Sequence, residues 1–143
     1  MGVSLTATNS KYSFDMSYNG FRHLRENLAD MYDEEFGKLY RELNKSYIYG
    51  EKSTKETLSA LNKLLENDRF KEEDADILDF FFASDCEGST SGKTCKKLYD
   101  IMDIEKVEGK IFTYSAYSDG KDYEHLKDFF LECYSKRRKA RWY

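Results

Sequence analysis

The 143-residue sequence contains no proline and only eight glycines, so few positions interrupt regular secondary structure. It has no run approaching the roughly 20 apolar residues of a membrane-spanning helix, and its start lacks the shape of a signal peptide. The net charge of −4 is too small for a nucleic-acid coat protein or a strongly acidic DNA mimic. These absences predict a soluble cytoplasmic protein that makes no membrane contact.

Cysteine and histidine are too few for a disulfide framework or a zinc site. The three cysteines, Cys86, Cys95 and Cys133, are an odd number without a Cys-x-x-Cys pair, which is typical of a reducing compartment. Zinc needs four closely spaced ligands, and only His23 and His125 are available to help. We therefore expect buried structural thiols, with no metal and no other cofactor.

The common catalytic motifs are also missing. Neither Gly-x-Ser-x-Gly nor His-Glu-x-x-His occurs, so the sequence favours a protein that is not an enzyme and has no catalytic residues. One enzymatic alternative stays open. In it, the protein is a small metal-independent hydrolase that uses His125 together with Asp122 or Glu124.

The residues that are present support one compact domain over 1–143. Hydrophobic residues make up 40% of the chain, with 12 Tyr, 10 Phe and 1 Trp, which is enough for a core. Near the N-terminus, apolar residues alternate with polar ones over 3–7 and again over 12–18. This period of two predicts a strand pair that turns near Asn9 and Ser10.

The rest of the pattern is mainly helical. Apolar residues at three- and four-residue steps from Phe21 to Tyr47 predict one long helix, and a capping box at 53–56 opens a second. A third helix, capped by Asp68, is expected to reach the apolar run 77–82, which periodicity alone assigns to neither helix nor strand. A polar loop at 84–92 follows. After it, a helix is predicted with four inward residues (Cys95, Leu98, Tyr99 and Met102), and a short strand over 111–117. A last helix after Gly120 is expected to bury five residues (Leu126, Phe129, Phe130, Cys133 and Tyr134). The predicted class is α+β, mainly helical, with an N-terminal β-hairpin or short sheet and about five helices.

Charge is distributed unevenly along the chain. Nine acids fall between Glu66 and Glu87, whereas the basic C-terminal segment 136–143 carries five cations in eight residues. Such asymmetry is typical either of a bipolar surface that meets a partner or a second copy of the chain, or of an acidic helix start and a basic helix end that suit the helix dipole. Two further interpretations stay open for the C-terminal segment. Its arginines and aromatic rings suit phosphate and bases, or Trp142 folds back onto the core and the cations only solubilise the end.

Residues 87–94 approach a phosphate-binding P-loop, Gly-x-x-x-x-Gly-Lys-Ser/Thr, but Glu87 stands where the first glycine belongs. Nucleotide hydrolysis is therefore not expected. A weaker prediction survives, in which 91–94 open a helix whose N-terminus binds an anion; the alternative is an ordinary capped helix start without a ligand. If a nucleotide is bound at the 88–94 loop and the basic C-terminus, the candidate ligand-binding residues are Lys93, Thr94, Arg137, Arg138 and Trp142.

Three segments together resemble a group of small uncharacterised proteins carried by bacteriophages and prophages. The segments are 14–25, which opens Phe14-Asp15-Met16-Ser17-Tyr18; 84–99, with Lys93-Thr94-Cys95-Lys96-Lys97; and 133–142, which opens Cys133-Tyr134-Ser135. The resemblance brings no assigned activity and no site residues. It implies a regulator or counter-defence factor in the host cytoplasm, acting by stoichiometric binding of a host protein or by self-association, or else by sequestering a nucleotide signal. DNA binding is the weakest alternative, because the protein is acidic.

Overall fold

A computed structural model describes residues 2–49, 54–114 and 119–143, and it confirms the α+β class. The described residues form a four-stranded antiparallel sheet and six α-helices, one more helix than predicted. The strands are β1 (Val3–Thr6), β2 (Ser13–Met16), β3 (Gly88–Thr90) and β4 (Ala140–Trp142). The helices are α1 (Tyr18–Tyr32), α2 (Glu34–Tyr49), α3 (Thr54–Leu65), α4 (Ala75–Phe82), α5 (Gly92–Ile101) and α6 (Asp122–Ser135), with short 3₁₀ turns at Glu72–Asp74 and Ile104–Val107.

The sheet has the strand order β2-β1-β4-β3, so the C-terminal strand lies inside it. The predicted N-terminal hairpin is confirmed, with Leu5 opposite Phe14. On its other side, β1 pairs with β4, where Leu5 faces Trp142. Alternate strand residues belong to the core, and the others form a polar outer face (Ser4, Thr6, Ser13, Asp15, Ser89 and Arg141).

The single long helix predicted over 21–47 is wrong, because the chain breaks at Asp33. This residue is extended, and its carboxylate accepts a hydrogen bond from the backbone N–H of Phe36 (2.9 Å), which begins α2. The two helices fold back on each other as a hairpin, tied by Arg41 and Asp30. A Cβ on Gly37 would lie 2.2 Å from the Asp30 Oδ1 atom, so only glycine allows this approach. The apolar stripe continues across the break and therefore conceals it.

The third predicted helix begins later than expected. Asp68 does not cap it; a 3₁₀ turn comes first, and α4 starts at Ala75. The apolar run 77–82 is helical, with Phe80 and Phe81 buried but Phe82 46% exposed. Ser53 of the predicted capping box lies outside the described residues.

One loop prediction, one strand prediction and one burial prediction also change. The polar loop predicted at 84–92 contains strand β3. No strand forms over 111–114, and the remainder of the strand predicted there lies outside the described residues. Instead, Asp122 Oδ2 accepts hydrogen bonds from the backbone N–H groups of Phe112 (2.8 Å) and Thr113 (2.9 Å). In α6, Tyr134 is 46% exposed rather than buried.

Candidate functional site

The N-terminus of α5 is built as predicted. Ser91 is extended and caps the helix, because its hydroxyl accepts from the Thr94 N–H (3.2 Å) and its carbonyl accepts from the Cys95 N–H (2.9 Å). The N–H groups of Gly92 and Lys93 precede the first full turn and have no intrahelical acceptor. An anion is favoured at such a position, since the helix dipole is positive there.

The C-terminus of α6 ends in a Schellman motif. The Arg138 N–H donates to the Cys133 carbonyl (2.8 Å), and the Arg137 N–H donates to the Tyr134 carbonyl (3.2 Å). Arg137 is left-handed, with φ 53°. Glycine usually occupies this place, and an L-residue pays about 1–2 kcal/mol there. The fold thus holds a long cationic side chain where a smaller residue is energetically preferred.

Gly92 brings the two helix ends together. A Cβ atom on Gly92 would lie 2.7 Å from the Cys133 carbonyl oxygen and 3.1 Å from the Arg138 carbonyl oxygen. Real Cβ atoms do not approach backbone so closely, so hydrogen is the only side chain that fits this contact. The start of α5 is consequently seated against the turn that ends α6.

A groove of about 500 Å³ runs along this junction and is called the α5–α6 groove below. Three of the five predicted ligand-binding residues, Lys93, Arg137 and Arg138, line it. The other lining residues are Ser91, Gly92, Tyr134, Ser135 and Lys139. In the part of the chain that the structure describes, Lys93, Arg137 and Lys139 form no ion pair. Arg138 lies 3.7 Å from the Glu132 carboxylate, so the groove keeps most of its positive charge.

Thr94 is a structural residue in this arrangement. Its side chain is buried, and its hydroxyl donates to Asp76 Oδ2 (2.6 Å), which also attaches α5 to α4. Lys97 Nζ lies 2.9 Å from the other oxygen of Asp76. Burial raises the pKa of Asp76, but the hydrogen bonds from Thr94 and Lys97 outweigh it and lower the pKa. The Thr94 hydroxyl is thus already engaged with Asp76, which favours a structural role, and the binding role of Thr94 stays a prediction.

Trp142 is also unavailable to a ligand. It is 1% exposed, and its indole N–H donates to the Ser84 carbonyl (2.8 Å). Its ring packs against Phe21 and Phe80, with centroids 5.6 and 5.7 Å away. The predicted stacking of Trp142 on a base is corrected to the open alternative, in which this residue folds back onto the core.

The resemblance to a P-loop does not extend to its backbone. Gly88 belongs to strand β3, and a Cβ there would lie 2.3 Å from the Trp142 ring. This glycine is thus required for packing against the tryptophan rather than for wrapping a phosphate. Of the segment 88–94, only the start of α5 therefore keeps a geometry that suits the predicted anion site.

The groups of the hydrolase alternative lie elsewhere. Asp122 and His125 both line a cavity of about 250 Å³ beside β2. Asp122 is 2% exposed, and its Oδ2 accepts three hydrogen bonds, one of them from the Thr113 hydroxyl (2.8 Å). Glu124 is exposed and is not part of the cavity lining. Asp122 therefore anchors the chain before α6, whatever else it does.

The thiols are partly as predicted. Cys95 and Cys133 are buried between α5 and α6, whereas Cys86 is exposed, contrary to expectation. A hydrogen bond with Cys133 and burial raise the pKa of the Cys95 thiol, which is therefore protonated near neutral pH. Among the described residues, no group of three or more His, Cys, Asp or Glu side chains is arranged to hold a metal ion.

Sequence reasoning missed Lys139, Tyr134 and Ser135 as groove residues. Lys139 stood in the basic run, but only the turn after α6 brings it to the groove.

None of the described helices is long and apolar enough to cross a membrane. Comparison with protein-family models, curated proteins and solved structures finds no match for this chain.

Proposed function

We propose that this protein is a non-enzymatic binding protein that captures a phosphate-bearing ligand, such as a nucleotide, in the α5–α6 groove. The observation that carries the proposal is the convergence of four cationic side chains on one concave surface beside a helix N-terminus (Lys93, Arg137, Arg138 and Lys139). A helix start offers N–H donors and arginine offers a planar pair of donors, so both suit phosphate oxygens.

The cost of the Arg137 conformation supports the same function. A strained residue is retained where the surrounding structure over-determines it, and such residues cluster at ligand-binding sites. Two backbone hydrogen bonds of the Schellman motif hold the left-handed backbone of Arg137, and its guanidinium forms no ion pair with any described residue. The guanidinium is therefore available to a bound anion.

The side chains that line the α5–α6 groove favour binding of a ligand over its chemical conversion. The described residues along it offer hydroxyls, cations and backbone, with no carboxylate, imidazole or thiol side chain to act as a general base. Such a lining holds an anion but supplies no group of ordinary pKa near neutrality for proton transfer. The protein would therefore act in proportion to its own concentration.

The sequence also predicts a host-protein partner or self-association, and this stays a prediction. The resemblance to phage-encoded proteins gives it context, since small phage regulators act by occupying a surface or by removing a signal. The concave shape of the groove favours a small ligand over a flat protein surface.

Calorimetric titration with pyrophosphate and with a panel of linear and cyclic nucleotides tests the proposal. Each substitution Lys93→Ala and Arg137→Ala should lower the affinity about 10-fold or more, because a hydrogen bond to a charged group contributes about 1.5–3 kcal/mol. Lys136→Ala is the matched control. Lys136 carries the same charge next to Arg137 in sequence, but it does not line the groove.

A thermal-shift measurement supports the titration. A ligand at 100 times its dissociation constant stabilises by about 2.7 kcal/mol, which should raise the melting temperature of a domain of this size by roughly 8–11 °C. Absence of any shift across the panel, or equal affinity losses in Lys136→Ala and Arg137→Ala, would contradict the proposed groove. Pull-down of a host protein would then be the next experiment.

A further inference from the structure

A second and larger cavity, of about 630 Å³, lies on the helical hairpin and is called the α1–α2 cleft below. Its walls come from α1, α2 and the segment 109–111, so it shares no residue with the α5–α6 groove. Its volume falls within the 300–1,000 Å³ range of small-molecule sites. Four cationic side chains line it (Arg22, Arg41, Lys45 and Lys110).

A buried carboxylate fixes two of these cations in place. Glu26 is 7% exposed, and its oxygens lie 3.8 Å from Arg22 Nε and 3.6 Å from Arg41 Nε. The Asn44 amide also donates to it (3.0 Å). Arg41 in turn holds both oxygens of Asp30, at 3.1 and 2.7 Å. The two guanidinium groups are thus positioned before any ligand arrives, which reduces the entropy cost of binding.

The other two cations have no carboxylate partner among the described residues. Lys45 and Lys110 make no ion pair with the residues described in the structure. The four cations face two carboxylates, Glu26 and Asp30, which leaves a formal charge of +2. This local excess stands out on a chain whose net charge is −4. A concave wall concentrates such a field, so the cleft attracts anions of about two charges.

The cleft also has an apolar side. Ile48 and Ile111 line it and are 51% and 46% exposed, respectively. Asn27 adds a polar group whose Nδ2 donates to the Tyr123 hydroxyl (2.8 Å), which fixes the orientation of the amide. A bare phosphate would use the cations but neither the isoleucines nor most of the volume.

We infer that the α1–α2 cleft binds a phosphomonoester, with the phosphate on the Lys45 and Lys110 side and the organic body against Ile48 and Ile111. A phosphomonoester carries about −1.5 to −2 charges at neutral pH, which matches the cleft's excess. Its three phosphate oxygens accept hydrogen bonds from several cations together. This inference does not depend on the function proposed for the α5–α6 groove.

The test uses the full chain carrying Arg137→Ala, so that a phosphate in the α5–α6 groove does not confuse the result. The probes are adenosine monophosphate, guanosine monophosphate and glucose 6-phosphate, titrated by calorimetry, with adenosine and inorganic phosphate for comparison. In this background the double variant Lys45→Ala/Lys110→Ala should lower the affinity of the bound ester at least tenfold. Lys38→Ala/Lys106→Ala is the matched control, because it removes two exposed lysines outside the cleft and should stay within twofold.

The outcomes separate the two proposals. Selective loss in the Lys45/Lys110 variant, with adenosine and inorganic phosphate binding at least tenfold more weakly than the ester, supports the cleft. Failure of all three esters to bind at millimolar concentration, or equal affinity in both double variants, overturns it. If the ester affinity instead differs between Arg137→Ala and the unmodified chain but not between the double variants, the ester belongs to the α5–α6 groove and the cleft proposal falls.

Discussion

Replacing Arg137 by glycine should make the protein more stable and a poorer phosphate binder. Arg137 is left-handed with φ 53°, and it lines the α5–α6 groove with three other cations. Glycine adopts this backbone without steric cost and keeps both hydrogen bonds of the Schellman motif, which use backbone atoms only. The same change removes the guanidinium. Stability and binding are therefore expected to move in opposite directions.

The expected gain follows from two opposing effects. Relief of the left-handed strain contributes about 1–2 kcal/mol, whereas the greater freedom of glycine in the unfolded chain costs about 0.4–1 kcal/mol. The net stabilisation is about 1 kcal/mol, which for a domain of this size raises the melting temperature by roughly 3 °C. The side chain of Arg137 is exposed, so its removal leaves no cavity. Affinity for pyrophosphate should fall about tenfold, as for any lost charged hydrogen bond of about 1.5 kcal/mol.

Urea unfolding and pyrophosphate titration of three variants separate these effects. Arg137→Ala keeps the strain and removes the charge, so it should bind weakly and remain near the original stability. Lys136→Gly is the backbone control: Lys136 has φ −98°, and glycine there should lower stability. A lower unfolding midpoint for Arg137→Gly than for Arg137→Ala would refute the strain argument. Unchanged pyrophosphate affinity in both would refute the role of Arg137 in the groove.

Two further predictions concern residues that hold the groove and the hairpin in place. Thr94→Val removes the buried hydroxyl that donates to Asp76 and should cost about 1–3 kcal/mol in urea unfolding, without changing pyrophosphate affinity. Thr94→Ser should restore most of the loss; a loss of affinity equal to that of Arg137→Ala would instead return Thr94 to the binding site. Stability should also decline in acid, because Asp33 and Asp76 have pKa values below the ordinary 3.8. The hydrogen bond from Arg69 chiefly lowers the pKa of Asp33. Burial raises the pKa of Asp76, but the hydrogen bonds from Thr94 and Lys97 outweigh it. The stabilisation by these two carboxylates is complete above pH 3.8 and is lost as pH falls through the lower folded-state pKa. The urea midpoint should therefore be lower near pH 3 than near pH 5, and the difference should be smaller in Asp33→Asn. An equal decline in that variant would contradict the assignment.

Local signals in the sequence predicted those features that short segments decide by themselves. The alternation over 3–7 and 12–18 gave the hairpin of β1 and β2, because residues on one face of a strand recur every second position. Ser91 was recognisable as the start of α5, since its hydroxyl caps the N–H of a residue only three positions away. The break at Asp33 was not predicted, because the apolar stripe runs through it and a hairpin of two helices buries the same stripe as one long helix.

For a related reason, the sequence indicates only some of the residues that line the α5–α6 groove. The sequence indicates Lys93 as a charged residue near a helix start, and Arg137 and Arg138 as members of a basic run. Nothing local distinguishes Lys139, which lines the groove, from Lys136, which does not. The distinction comes from the turn that Arg137 makes at the end of α6 and from the contact of Gly92 with that turn. The turn is local, but the contact joins residues about 40 positions apart in the chain.

Four features are predictable from local sequence alone: the fold class, the periodic faces of the main helices, the N-terminal hairpin and the cap of α5. Each of these is set by neighbours within a few positions along the chain. Tertiary structure alone decided that the C-terminus becomes an inner strand, because β4 has three residues, too few to show a period, and its partners are Leu5 and Gly88. That pairing buries Trp142 and leaves Lys93, Arg137 and Arg138 together at one groove. Strand β4 is stabilised by hydrogen bonds and packing with residues distant in the chain, and a local sequence pattern cannot show these.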